Sequence, residues 1–145
     1  MSRLMLAALL TLCACGPDVT AWKGSYAVSG SMNDGRQPEP VTGTLTVADG
    51  ALFTLTSDPK NGNTWTISMN ASMVDGARAA FTTPSQATLN VSPANGCTYP
   101  LTINMAELHL LGGAVDGTIS GRANITCSTG TTATDFLLSF GGNKK

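Results

Sequence analysis

The run Val41-Thr42-Gly43-Thr44-Leu45-Thr46-Val47-Ala48-Asp49-Gly50-Ala51-Leu52-Phe53-Thr54-Leu55-Thr56-Ser57 decides the fold. Val41, Gly43, Leu45 and Val47 alternate with Thr42, Thr44 and Thr46, a period of two. Successive side chains of a β-strand point to opposite faces, so this rhythm belongs to a strand with one face in a core and one in water. Asp49-Gly50 is the kind of pair that reverses a chain between two strands. Beyond it, Phe53 and Leu55 share a face opposite Leu52, Thr54 and Thr56. The two halves read as a β-hairpin.

The same rhythm extends in both directions. Upstream, Trp22, Gly24, Tyr26, Val28, Gly30 and Met32 alternate with polar or small residues, and a loop with Asn33-Asp34-Gly35 and Pro38 to Pro40 follows. Downstream, Trp65, Ile67, Met69, Ala71 and Met73 form another stripe. Short strands are expected at Ala79 to Thr83 and Ala87 to Val91, with Pro84 between them. Leu101, Ile103 and Met105 alternate, and the parity then shifts to Leu108 and Leu110, which predicts a bulge near Glu107 or a helical turn over Met105 to Leu111. Ile119 to Cys127 and Thr132 to Phe140 complete the set. No ten-residue segment carries a 3.6 period.

Composition agrees. The 145 residues suffice for one domain. Only 12% are charged, and the polar surface is supplied instead by neutral side chains, 20 of them threonines whose branched Cβ favours extended backbone. The expected fold is all-β: an antiparallel up-and-down barrel of eight to ten strands, or alternatively a two-sheet sandwich, since either manages the exposed strand edges. The net charge of −1 shows no basic stripe, which argues against nucleic acid as a partner.

The N-terminus has a different character. Arg3 precedes an apolar run from Leu4 to Leu12, the length of a signal-peptide core and too short to span a bilayer. The run ends in Leu12-Cys13-Ala14-Cys15, which resembles the lipobox of bacterial lipoproteins. The resemblance implies cleavage after Ala14, a diacylglyceryl thioether on Cys15 and a further acyl chain such as palmitate on its freed amine. Two or three chains anchor far more firmly than one, at about 0.8 kcal/mol per buried CH₂. Gly16, in place of the aspartate that marks inner-membrane retention in that family, implies the outer membrane, facing the periplasm or cell surface. The expected organisation is a signal peptide over 1–14, a lipidated tether over 15–20, one β domain over 21–141 and a polar tail over 142–145.

Export would place the chain where thiols oxidise, and Cys97 and Cys127 then remain to pair. The alternative use of these cysteines is a metal site, but the chain has one histidine, His109, and no C-x-x-C, so a disulfide is expected and no metal. His109 is also the only histidine available as a catalytic base, and it falls opposite Leu108 and Leu110, on an outward face. Asp34, Asp49, Asp58, Asp75 and Asp116 lie mostly in glycine- or proline-containing turns, where aspartate caps local backbone groups. With no phosphate loop, nucleophile elbow or calcium loop, the reading is a non-enzyme without cofactor.

Trp22, Tyr26, Phe53 and Trp65 fall on apolar faces, where they fill a core or, in a wide barrel, line a cavity. The Trp-bearing first strand resembles that of lipocalin-like barrels, although the order here is Trp22-Lys23-Gly24 and Arg122 shares a face with Ser120 and Asn124. That resemblance implies a ligand-binding barrel. Two functions follow as expectations: an envelope lipoprotein holding a small apolar ligand or lipid, or a structural or interaction module binding another envelope protein. The first requires an enclosed apolar cavity of several hundred Å³. The second requires an exposed apolar patch. An enzyme would gather His109 with two or more carboxylates in a cleft.

Overall fold

The computed structural model describes residues 17–145. Cys15 and the segment read as a signal peptide lie outside those residues. Ten strands follow one another: β1 (Gly24–Asn33), β2 (Glu39–Ala48), β3 (Leu52–Ser57), β4 (Thr64–Asn70), β5 (Met73–Val74), β6 (Arg78–Ala80), β7 (Ser85–Ser92), β8 (Pro100–Leu111), β9 (Ala114–Cys127) and β10 (Gly130–Lys144). One 3-10 turn, Asp49–Ala51, reverses the chain in the hairpin β2–β3, where Thr44 faces Thr56 and Leu45 faces Leu55.

All pairings between strands are antiparallel. Eight strands close into a ring in the order β1-β2-β3-β4-β7-β8-β9-β10, and β10 returns to β1. Closure leaves the ring without edges, so the fold is the up-and-down barrel rather than the sandwich. The remaining two strands, β5 and β6, form a small hairpin on the last third of β8, with Ala79 opposite Leu108. The chain then crosses through Phe81 to Pro84, and β7 pairs with the first part of β8, where Ala87 faces Leu101.

Parity decides what fills the interior. Tyr26, Val28, Leu45, Val47, Phe53, Leu55, Ile67, Leu101, Ile103, Ile119, Leu138 and Phe140 are all buried. Many of their neighbours on β2, β3 and β4 carry hydroxyls outward, and some of these pair across strands: Thr54 with Ser68 at 3.0 Å, Thr56 with Thr66 at 3.1 Å. Such pairs let a surface poor in charge still present polar groups to water. An apolar interior inside a hydroxyl-bearing exterior is the inverse of a lipid-facing barrel, whose apolar band points outward.

Glycines on inward positions permit the curvature. A Cβ on Gly30 would collide with the carbonyl oxygen of Ser139, and one on Gly121 with that of Thr102. Adjacent strands approach there more closely than any side chain allows, a device that bends a sheet into a small barrel.

Four expectations need correction. The bulge falls between Ile103 and Met105, earlier than Glu107, and it turns Met105 outward while Ala106, Leu108 and Leu110 continue the inner face. No helical turn forms there, because β9 pairs along this whole stretch and draws it into extended backbone. Residues 142–145 are not a free tail: Gly142 and Lys144 pair with Val28 and Tyr26, and Val19, in the expected tether, is buried in the core.

One end of the barrel is plugged. Residues 19–22 form a turn in which Trp22 and Lys23 both donate their backbone N–H to the Val19 carbonyl at 2.9 Å. The turn drives Trp22 into the barrel floor, fully buried. Its indole Nε1 donates to the Asp75 carbonyl at 2.6 Å, and its own carbonyl accepts from the Tyr26 hydroxyl at 2.8 Å. Burial pushes the Tyr26 phenol above its usual pKa. Edge-to-face contacts run from Trp22 to Phe53 and on to Phe81, each with centroids 5.5 Å apart. The β5–β6 hairpin thus seals the floor.

The hairpin's turn is held by one carboxylate. Asp75 accepts the N–H groups of Ala77 and Arg78, both at 2.7 Å, and these bonds lower its pKa from 3.8. A carboxyl held below its unfolded value adds stability that is complete above that value and disappears as pH falls through the folded one. Asp75→Ala should therefore cost stability at neutral pH and flatten the loss of thermal midpoint below about pH 4. Thermal scans of both proteins between neutral pH and pH 2 check this; parallel curves would refute it.

Candidate binding site

The other end of the barrel is open. Here the strands are joined by the β1–β2, β3–β4, β7–β8 and β9–β10 connections. A cup of about 230 Å³ lies within it. Ile67, Leu101, Phe136 and Leu138, all buried, line its deeper part. Leu89, Ala123 and Ile125 are half-buried on the walls. Met32, Trp65 and Tyr99 complete the apolar lining, and Asp34, Glu39 and Thr134 add the polar groups.

The four aromatics read as core or cavity divide. Trp22, Tyr26 and Phe53 are core, whereas Trp65 lines the cup. Parity put all four inward; position along the axis separates them, because β4 begins at the mouth and β1 begins at the floor. Tyr99 was missed by the sequence reading, since it precedes β8 in an irregular segment with no rhythm of its own.

Local bonds hold the rim. The Trp65 N–H donates to Ser57 Oγ at 2.9 Å, bracing the start of β4. Thr134 Oγ1 donates to the Asp34 carbonyl at 2.9 Å, tying the β1–β2 loop to β10. Lys60 Nζ bonds Glu39 Oε2 at 2.7 Å across the β2–β3 opening. That opening continues outward as a groove that shares Met32, Glu39 and Trp65 with the cup.

Cys97 and Cys127 sit at disulfide-bonding distance, with Cα atoms 4.3 Å apart. The bridge fastens the β7–β8 loop to the end of β9, beside paired Thr98 and Thr126. It thereby fixes the segment that delivers Tyr99, whose hydroxyl accepts from Asn95 Nδ2 at 2.6 Å.

His109 does find two carboxylates. Its Nε2 stands 3.2 Å from Glu107 and its Nδ1 3.4 Å from Asp116, while Arg78 pairs with Glu107. The group lies on the outer wall, with the His109 side chain 50% exposed, and the two ring nitrogens face different acids. The group is a solvent-exposed ion-pair network, and His109 does not line the cup. Among the described residues no group of three or more His, Cys, Asp or Glu is arranged to hold a metal ion. Arg122 is also outside, paired with Asp135 at 3.1 Å.

Four large apolar side chains are exposed among the described residues. Met105 and Leu137 flank Ser120 on the outer wall, Met73 lies in β5, and Leu111 ends β8 at the plugged end. No protein-family model matches the sequence, and no curated protein is significantly similar to it.

Proposed function

We propose that this chain is an exported envelope lipoprotein whose barrel holds a small apolar molecule in the cup at its mouth. The observation that carries the reading is the cup itself. Eight strands give a barrel wide enough either to be filled by side chains or to hold one small ligand. Here the plugged half is filled and the mouth half retains about 230 Å³ lined mainly by apolar groups. Common ligand pockets span roughly 300–1,000 Å³, so the cup suits a compact molecule and not a long acyl chain.

Anchorage by acylated Cys15 fits this arrangement. The first described residue, Pro17, leads into the plugged end and follows Cys15 by two positions in the sequence. A lipid on Cys15 would hold the plug toward the outer membrane and leave the mouth facing away from it. The exchanged ligand then comes from the aqueous side. The chain acts as a carrier or sensor without covalent chemistry.

Two measurements test the two parts. The protein has two tryptophans, hence two indole N–H resonances. Titration with toluene should move the Trp65 resonance and leave that of Trp22 in place, with Trp65→Phe giving the assignment. If neither resonance moves at saturating toluene, the cup is not a binding site. Cells grown with labelled palmitate should yield labelled protein in the membrane fraction, and Cys15→Ser should abolish the label. An unmodified wild-type chain in the cytosol would reject the lipoprotein reading.

A further inference from the structure

We infer that the cup selects a compact hydrophobic cation: a ring-sized apolar body carrying an ammonium group. The inference rests on the binding role proposed above and adds the chemical class of the ligand.

Size is the first constraint. A dry apolar cavity of roughly 150 Å³ takes benzene. At about 230 Å³, the cup accommodates one ring and a short arm.

Charge is the second. Both charged residues in its lining, Asp34 and Glu39, are acidic, and no lysine, arginine or histidine lines it. Glu39 is matched by Lys60 from the groove side. Asp34 makes no ion pair among the described residues; its carboxylate accepts only the Arg36 backbone N–H, at a long 3.3 Å. Asp34 therefore stands at the cup's rim without an ion pair among the described residues, and Arg122, which lines the neighbouring surface depression with it, is paired with Asp135.

The third is the aromatic character of the lining. Trp65 and Tyr99 both contribute, and the faces of such rings attract cations, most strongly when water is displaced. Met32 adds a polarisable thioether beside them. Deeper in the cup the walls offer no counter-charge and no unmet need: every buried side-chain nitrogen or oxygen among the described residues already has a partner. Selectivity must therefore arise at the level of Asp34, Trp65 and Tyr99. An apolar body sits below and the charged group stays near the rim, where it keeps part of its hydration.

Three probes of one shape test this: benzylammonium, benzyl alcohol and benzoate, each titrated while the Trp65 indole resonance is followed. Benzylammonium should bind about tenfold more tightly than benzyl alcohol, the scale of a partly desolvated cation–aromatic contact with a carboxylate nearby. Benzoate should bind most weakly. Asp34→Asn should bring benzylammonium to within about twofold of the alcohol and leave the alcohol's affinity unchanged. Equal binding of ammonium and alcohol by the wild type, tighter binding of benzoate, or a preference that survives Asp34→Asn overturns the cation inference while leaving the cup a binding site. Failure of all three probes to bind overturns the cation inference, and the cup falls as a binding site only if toluene fails as well.

Discussion

Trp22→Ala should remove a large share of the stability of this protein. Truncating a buried tryptophan costs about 3–5 kcal/mol through lost apolar burial and the cavity left behind. A domain of this kind is stable by only about 5–15 kcal/mol in total. Trp22 is fully enclosed, stacks edge-to-face on Phe53 and bonds the Asp75 carbonyl. Its loss therefore uncouples the β5–β6 hairpin from the floor as well as emptying it. Trp22→Phe separates the two effects: the ring contact with Phe53 is largely kept, while the Asp75 carbonyl loses its donor at a cost of about 1–3 kcal/mol. Urea unfolding should show a large fall in midpoint for the alanine variant and an intermediate one for phenylalanine. Amide exchange should speed most at Met73 to Ala80. A midpoint unchanged by Trp22→Ala would mean that the indole does not plug the barrel.

The second large effect belongs to the disulfide. Cys97 and Cys127 are 30 residues apart in sequence, and a cross-link over such a loop restricts the unfolded chain by about 3–4 kcal/mol in the loop-entropy description. Replacing both cysteines with serine should lower stability by that order. It should also weaken ligand binding at the cup, because the bridge holds the segment leading to Tyr99 against β9. The plugged end lies at the other pole, so the Trp22 indole resonance should keep its position in the folded double variant. Guanidinium unfolding with and without reductant gives the stability, and the toluene titration gives the affinity. Full stability after reduction would show that the native contacts around Thr98 and Thr126 suffice.

Much of the fold was legible because it is local. In the hairpin around Asp49-Gly50 the period-two pattern named the strands, their faces and the turn, and the pairing of Leu45 with Leu55 follows from it. The errors lie where neighbours override the local signal. Gly141 to Lys144 looks like a frayed polar end in isolation, yet its backbone N–H and C=O groups are satisfied by β1 and β9, and pairing of that kind needs no side chain. The strand expected at Ala79 to Thr83 stops at Ala80, because Phe81 turns into the floor to meet Phe53. Met105 leaves the inner stripe because the bulge beside it inserts one residue, and every later side chain then keeps its parity with β9.

The amino-acid order by itself determined an all-β chain, the inward face of nearly every strand and two cysteines free to pair. These depend on alternation and composition, which each short segment carries independently. Only the tertiary structure decided that β10 returns to β1, that Trp22 plugs one pole while Trp65 opens onto the other, and that Asp34 stands beside an apolar cup. Parity tells a side chain whether it points inward. Whether it meets a partner there or leaves a cavity depends on its height along the barrel axis, and strand stagger sets that height only once the ring has closed.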